Sequence, residues 1–301
     1  MIRLEDTSGG AVAAAIADER LRQGSPPTGM VLTLCILATE ESQSDATSAA
    51  VIAAHEHPMR ILTLIPRPGG DRPRLDAELA VGGSDGPGEV AILRLRGELS
   101  KHGNSVAIPL LLPDTPVVAW WPTTPPLIPA EDAIGSHAQR RITDAAATDD
   151  PLTALRERAT HYRPGDSDLA WTRVTSWRSA IASILDDPNA LPTSICVEVA
   201  AENPSGALLR AWLAQKLKIP VTRVDANEQG IISVRLSTGL GDILVRRLDH
   251  ESVEIVRPGV PTSKLAMARR EPADLMREEL RRLDNDEVYA ETLHYFLESH
   301  V

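Results

Sequence analysis

Few residues in this 301-residue chain stand in patterns that could do chemistry. Gly82-Gly-Ser-Asp-Gly has the G-x-S-x-G spacing of a strained serine nucleophile. That chemistry needs a strand entering the turn and a helix leaving it. Here Pro87 and Gly88 lead into a second apolar strand, so the segment reads as a polar hairpin loop. Gly239-Leu-Gly-Asp-Ile-Leu carries half of a dinucleotide fingerprint, lacks the third glycine and runs into a strand; it reads as a turn. No Gly-Lys-Ser/Thr phosphate cradle occurs. His55 and His57 flank Glu56 at the end of a helix instead of sharing one helical face, which reads as a solvated helix end, with a weak metal site as the alternative. The acidic pairs Asp149/Asp150, Asp186/Asp187 and Asp284/Asp286 fall where caps and turns are expected. The sequence therefore predicts no catalytic residue, no metal and no cofactor.

The elements that would position any site alternate between helix and strand. Val31 to Ala38 is a continuous apolar run, Ser42 to His55 is alanine-rich, and Ile61-Leu-Thr-Leu-Ile-Pro is apolar again, the spacing of a βαβ unit with a right-handed crossover. Leu75 to Val81 and Glu89 to Leu95 follow as a hairpin, and Pro113 to Trp121 as a further strand. Asp149 or Asp150 caps a polar helix with Pro151 at its first position. Leu169 to Leu185 is a single amphipathic helix by the spacing of Leu169, Val174, Trp177, Ile181 and Ile184. Thr193 to Val199, a helix opened by Asn203-Pro204, and Ile219 to Val224 form a second βαβ-like unit. Three short strands between Ile231 and Val256 read as an antiparallel meander, and Pro272 and Asp286 start two terminal helices. The predicted fold class is α/β: two α/β domains, residues 1–135 and 136–301, each a mixed sheet flanked by helices, the second with the meander and the terminal helices.

Composition narrows the function classes. The net charge of −11 repels phosphate backbones and no Lys/Arg cluster with interleaved aromatics offsets it, so no nucleic-acid partner is expected. No apolar run approaches the roughly 18 residues of a membrane helix, and the acidic N-terminus is unlike a signal peptide, so a cytoplasmic protein with no membrane partner is expected. Cys35 and Cys196 lie in apolar strands, where thiols read as small core hydrophobes. Aromatic residues are only 3% of the chain, so each tryptophan cluster is informative.

Two such clusters remain. In Leu110-Leu-Leu-Pro-Asp-Thr-Pro-Val-Val-Ala-Trp-Trp-Pro, adjacent Trp120 and Trp121 on a regular strand point to opposite faces; one ring can be core, and the other needs a second apolar surface, either the other domain or a partner. In Arg163-Pro-Gly-Asp-Ser-Asp-Leu-Ala-Trp-Thr-Arg-Val-Thr-Ser-Trp-Arg, a capped helix places Trp171, Arg173, Trp177 and Arg178 in its first turns. Two readings stand: an inward tryptophan with solvated arginines, or a docking face of ring anchors and guanidinium forks.

These segments, with Ala138-Gln-Arg-Arg-Ile-Thr-Asp between them, resemble in order and spacing the hallmarks of the OpcA family of glucose-6-phosphate dehydrogenase assembly proteins, in its actinobacterial form. The resemblance implies a non-catalytic cytoplasmic protein that binds glucose-6-phosphate dehydrogenase and promotes its active oligomer in the oxidative pentose phosphate pathway. It also implies a partner-binding set of Asp114, Thr115, Trp120, Trp121, Arg140, Arg141, Asp166, Trp171, Arg173, Trp177 and Arg178. Cyanobacterial relatives are associated with thiol-based control, which two core cysteines do not support. The alternative is a sugar-phosphate- or nucleotide-sensing α/β protein using Arg140, Arg141 and Arg173 as phosphate partners.

Overall fold

The computed structural model describes residues 1–23, 29–69, 72–82 and 88–299. Residues 24–28 and most of the expected hairpin loop around Ser84 lie outside the described residues. In chain order the elements are β1 (Ile2–Thr7), α1 (Gly9–Gln23), β2 (Leu32–Leu37), α2 (Gln43–Ala53), β3 (Met59–Arg67), β4 (Arg74–Val81), β5 (Gly88–Arg96), α3 (Gly103–Ala107), β6 (Val117–Trp120) and β7 (Arg140–Thr143). Then follow α4 (Pro151–Thr160), β8 (Asp166–Asp168), α5 (Leu169–Arg173), α6 (Thr175–Leu185), β9 (Pro192–Ala200), α7 (Pro204–Leu217) and β10 (Val221–Ala226). The chain ends with β11 (Ile231–Thr238), β12 (Gly241–Arg247), β13 (Ser252–Arg257), β14 (Val260–Ala266), α8 (Pro272–Glu279) and α9 (Glu287–Ser299).

These elements form two compact units, the α/β pair with mixed sheets that the sequence predicts. The first comprises Met1–Asp144, Arg163–Ser167 and Pro272–Asn285; the second comprises Ala145–Tyr162, Asp168–Glu271 and Asp286–Val301. The first unit continues past residue 135 because β7 pairs in parallel with β6, Val118 opposite Arg140 and Trp120 opposite Ile142.

The first unit's sheet has the order β1-β4-β5-β3-β2-β6-β7-β8. Its centre is parallel, with β2 between β3 and β6, and β3 beside β5. Strands β2 and β3 are buried on both faces, which is why they read as unbroken apolar runs. Strands β4 and β5 alternate buried and partly exposed positions, the signature of a sheet with one wet face. On that face burial pushes the Asp76 carboxyl up, but hydrogen bonds from Arg74 Nε at 2.6 Å, the Asp6 amide at 3.2 Å and Arg96 Nε at 3.0 Å outweigh it and hold the carboxyl below the usual range. The sequence reading missed β1, which pairs antiparallel with β4 from Ile2 opposite Leu79. Its half-exposed, charged residues carry too little apolar signal to mark a strand.

The second unit's sheet has the order β10-β9-β11-β12-β13-β14, in which only β9 and β10 are parallel. Helix α7 makes their crossover. Asn203 Oδ1 accepts from Gly206 N at 2.7 Å, and Pro204 takes the first helical position, where its missing donor costs nothing. Gly206 lets α7 close on β9, because a Cβ there would stand 2.5 Å from Val199 Cγ2. The meander has four strands instead of the expected three; β14 is exposed along its whole length, so it has no hydrophobic periodicity to read. Gly239 and Leu240 form the expected turn, between β11 and β12. The expected single helix from Leu169 to Leu185 breaks at Val174 (φ −91°, ψ 0°), where α5 ends and α6 begins. The apolar stripe survives the break: Trp171, Val174, Trp177, Ile181 and Ile184 all enter the second unit's core.

Cys35 sits wholly inside the first core, and burial alone pushes its thiol up to about 12. The neutral form therefore persists throughout the physiological range. Iodoacetamide at pH 8 is expected to leave Cys35 unmodified in the folded chain and to alkylate it in urea, read by peptide mass spectrometry. Alkylation of Cys35 without denaturant would contradict this burial.

Candidate functional site

The first unit gathers one group of the singled-out residues around β6, β7 and the turn at Pro164-Gly165. Arg141 donates from Nε to Asp166 Oδ1 at 2.5 Å, from Nη1 to Ala138 O at 2.8 Å, and from Nη2 to Pro164 O. Asp166 in turn accepts from the Arg163 amide at 2.7 Å. Gly165 closes this knot with φ +94°; a Cβ there would meet Gln139 O at 2.5 Å and Arg141 Nη2 at 2.9 Å. Arg140 pairs with Glu279 at 2.8 Å, both side chains under 10% exposed, and donates to Asp284 O at 2.9 Å. Trp120 and Trp121 are 2% and 3% exposed. Gly135 packs on Trp121, its would-be Cβ 3.0 Å from the ring and 1.9 Å from Pro129 O. Asp114 is exposed and left-handed (φ +56°), and Thr115 donates to Leu112 O at 3.2 Å.

The second unit gathers the other group. Asp168 is fully buried and accepts from Ala170 N at 2.8 Å, capping α5, and from Ala145 N at 3.0 Å. Trp171 donates from Nε1 to Asp286 Oδ2 at 2.8 Å, and the same carboxylate caps α9 by accepting from Tyr289 N at 2.9 Å. The Trp171 and Tyr289 rings lie 5.7 Å apart, and the Arg178 guanidinium stacks 3.7 Å over Trp171. Trp177 is 4% exposed, and Arg247 lies 5.5 Å over its ring. Arg173 stays half-exposed.

Of the two readings, the inward one describes the side chains of Trp120, Trp121, Trp171 and Trp177, and the guanidinium groups of Arg140 and Arg141 are engaged by carboxylates and carbonyls of the chain itself. Arg140 and Arg141 are for the same reason closed to the phosphate partnership of the alternative reading. Trp121 joins the aliphatic core of the first unit, and Trp171 and Trp177 join that of the second. Asp114, Thr115, Arg173, Arg178 and Asp166 retain accessible surface. Among the described residues there is no cluster of three or more metal-capable side chains, and His57 Nε2 bonds the Arg277 carbonyl at 3.0 Å. Sequence reasoning missed Arg247, Arg269 and Arg270, which stand near Arg173 only because β12 and the segment after β14 fold beside α6.

With this geometry, comparison with known proteins is decisive for lineage. Residues 50–160 match the family model described as the glucose-6-phosphate dehydrogenase subunit N-terminal domain, and residues 164–293 match its C-terminal counterpart. The chain belongs to the OpcA family. A Synechococcus elongatus protein described as an OxPP cycle protein OpcA is 27% identical over 249 residues, which cover 71% of this chain and 55% of that relative. The match thus spans little more than half of the relative's length. Among solved structures, the 3-ketoreductase KijD10 of Actinomadura kijaniata aligns with a TM-score of 0.48 at 10% identity, over 89% of this chain and 95% of the other. The oxidoreductase YvaA of Bacillus subtilis aligns with a TM-score of 0.41 at 12% identity, over 89% and 96%. Similarity at that level says nothing of this chain's chemistry.

Arg141→Ala leaves Asp166 without its ion-pair partner, and a loss of about 3 kcal/mol of unfolding free energy in urea titration is expected from breaking so buried a pair. Gly165→Ala is expected to destabilise as well, through a left-handed backbone and a collision with a carbonyl. Unfolding midpoints equal to the parent chain's in both variants would show that the knot contributes nothing.

Proposed function

We propose that this OpcA-family chain is a non-catalytic accessory protein of the cytoplasm that binds glucose-6-phosphate dehydrogenase and promotes its active oligomer in the oxidative pentose phosphate pathway. The observation that carries the reading is that two domain models of one family, both described as parts of a glucose-6-phosphate dehydrogenase subunit, account in order for residues 50–160 and 164–293. The name of the Synechococcus elongatus relative, which refers to the OxPP cycle, points the same way. The family's marker residues support it from the physical side. They are engaged in capping, stacking and buried pairing, and none is arranged as a nucleophile with its base.

Linkage supplies the mechanism. A protein that binds the assembled dehydrogenase more tightly than its separated subunits shifts the population toward the assembly by the ratio of the two affinities. In this reading Trp120, Trp121, Arg140 and Arg141 in the first unit, and Trp171 and Trp177 in the second, support the surface of their own unit. Direct contact falls to the accessible members of the set, Asp114, Thr115, Asp166, Arg173 and Arg178.

Size-exclusion of the chain with purified dehydrogenase is expected to give a joint peak of higher mass, and dehydrogenase assayed at high dilution is expected to gain specific activity when the chain is added. Separate peaks together with unchanged activity would overturn the reading. Asp114→Asn removes one charge yet keeps a residue type tolerant of the left-handed conformation. It is expected to raise the concentration of chain needed for half-maximal activation several-fold. An unchanged concentration takes Asp114 out of the contact.

A further inference from the structure

The second unit contains a cavity of about 580 Å³, within the size range of small-molecule sites. Its wall is built from the start of α6, the start of α7, the end of β12 and the segment that follows β14. Four arginines line it, Arg173, Arg247, Arg269 and Arg270, against two acids, Glu202 and Glu271. In a chain with 42 acidic and 31 basic residues, that local excess of positive charge runs opposite to the whole.

Two of these arginines are held in place without being neutralised. Arg247 donates from Nη1 to the carbonyls of Met267 at 2.8 Å and Asp249 at 3.3 Å. Arg269 donates from Nη2 to Gln229 O at 2.9 Å, and its buried Nε has no hydrogen-bond partner. Among the described residues, neither has a carboxylate at ion-pairing distance. Burial first, and the Arg269 charge second, press the Arg247 guanidinium below its ordinary range, opposed by the charge of Asp249. The backbone is shaped to admit Arg269. Gly230 (φ +81°) lies against it, and a Cβ there would stand 2.9 Å from Nη1. Carbonyl partners fix the direction of a guanidinium but leave its charge standing, and an anion placed among such groups would be held by charge-assisted hydrogen bonds.

The other features of the wall suit the same ligand. Residues at the starts of α6 (Ser176, Trp177) and α7 (Pro204, Ser205) line the cavity, which brings the positive ends of two helix dipoles to its wall. Ser176 and Ser205 bring hydroxyl groups, and Trp177 and Met267 supply an apolar floor for a carbon skeleton. We infer that this cavity is a binding site for a small phosphorylated metabolite, its phosphate monoester held by Arg173, Arg247, Arg269 and Arg270 and its body resting on Trp177 and Met267. The site is lined by residues of the second unit alone and shares Arg173 with the proposed contact set, so ligand binding to the isolated chain, without the dehydrogenase, is what reports on it.

Isothermal titration of the isolated chain at low salt tests the inference with four probes: inorganic phosphate, glucose 6-phosphate, AMP and glucose. Glucose 6-phosphate or AMP is expected to bind at least about tenfold more tightly than inorganic phosphate, and glucose not at all. Which of the two esters binds more tightly reports whether the body is a sugar or a nucleoside. Arg269→Gln and Arg173→Gln, made separately in case one variant fails to fold, are each expected to weaken that binding by about tenfold or more. Arg210→Gln, in a neighbouring cavity lined also by Arg156 and Arg223, serves as the control and is expected to leave affinity unchanged. No binding by either ester, binding no tighter than inorganic phosphate, or an equal loss in Arg210→Gln would each overturn the proposal.

Discussion

The ion pair between Arg141 and Asp166 governs the local structure around the family's marker residues. Arg141 lies in β7, at the far side of the first sheet, and its fork reaches two carbonyls as well as the carboxylate. Taking a guanidinium and a carboxylate out of water is costly, and it is repaid only when nearly every donor finds a partner. That demand dictates the neighbourhood. The turn must bring Pro164 O and Asp166 to one side of the guanidinium, which requires the left-handed Gly165. The strand must hold Ala138 O within reach, which the pairing of Gln139 N with Val117 O at 2.9 Å provides. Two residues beyond Asp166, Asp168 caps α5, so the start of the tryptophan-bearing helix is set by the same short stretch of chain.

Much of this architecture could be read from the residues, because the local signals agreed with the tertiary outcome. Asp150-Pro151 and Asn203-Pro204 cap the helices they were expected to cap, with Asp150 accepting from Thr153 N at 3.1 Å. The apolar runs at Leu32 and Met59 became central parallel strands. What escaped were the elements whose residues carry no burial signal. Strand β14 is wet throughout, and β1 offers only Ile2 and Leu4 as partly buried apolar positions, so edge pairing and not hydrophobicity makes them strands. The break at Val174 escaped for another reason: the residues on either side keep a helical spacing, and only the backbone angles show two helices.

The site was harder to read than the fold. Tryptophan beside arginine is as good a description of a stacked internal pair as of a docking anchor, and the sequence holds nothing that separates the two. In the structure the choice is made by geometry: the Arg178 guanidinium carbon sits 3.7 Å over the Trp171 ring, and the indole nitrogen of Trp171 is satisfied by Asp286, 115 residues away. Such distant partners are invisible in a linear motif. The same is true of Arg247 and Arg269, which stand 22 positions apart in sequence and meet only when the meander folds.

That distinction between neutralised and merely anchored arginines is the most informative feature of the charge distribution. Arg140 and Arg141 face carboxylates and serve the fold. Arg247 and Arg269 face carbonyls and line one cavity. If stability alone set these side chains, an arginine-free, apolar lining around Trp177 would serve as well, since burial and the charge of Arg269 both disfavour the charged form of Arg247. A small anion in the cavity would offset that charge, which is the part the inferred ligand plays.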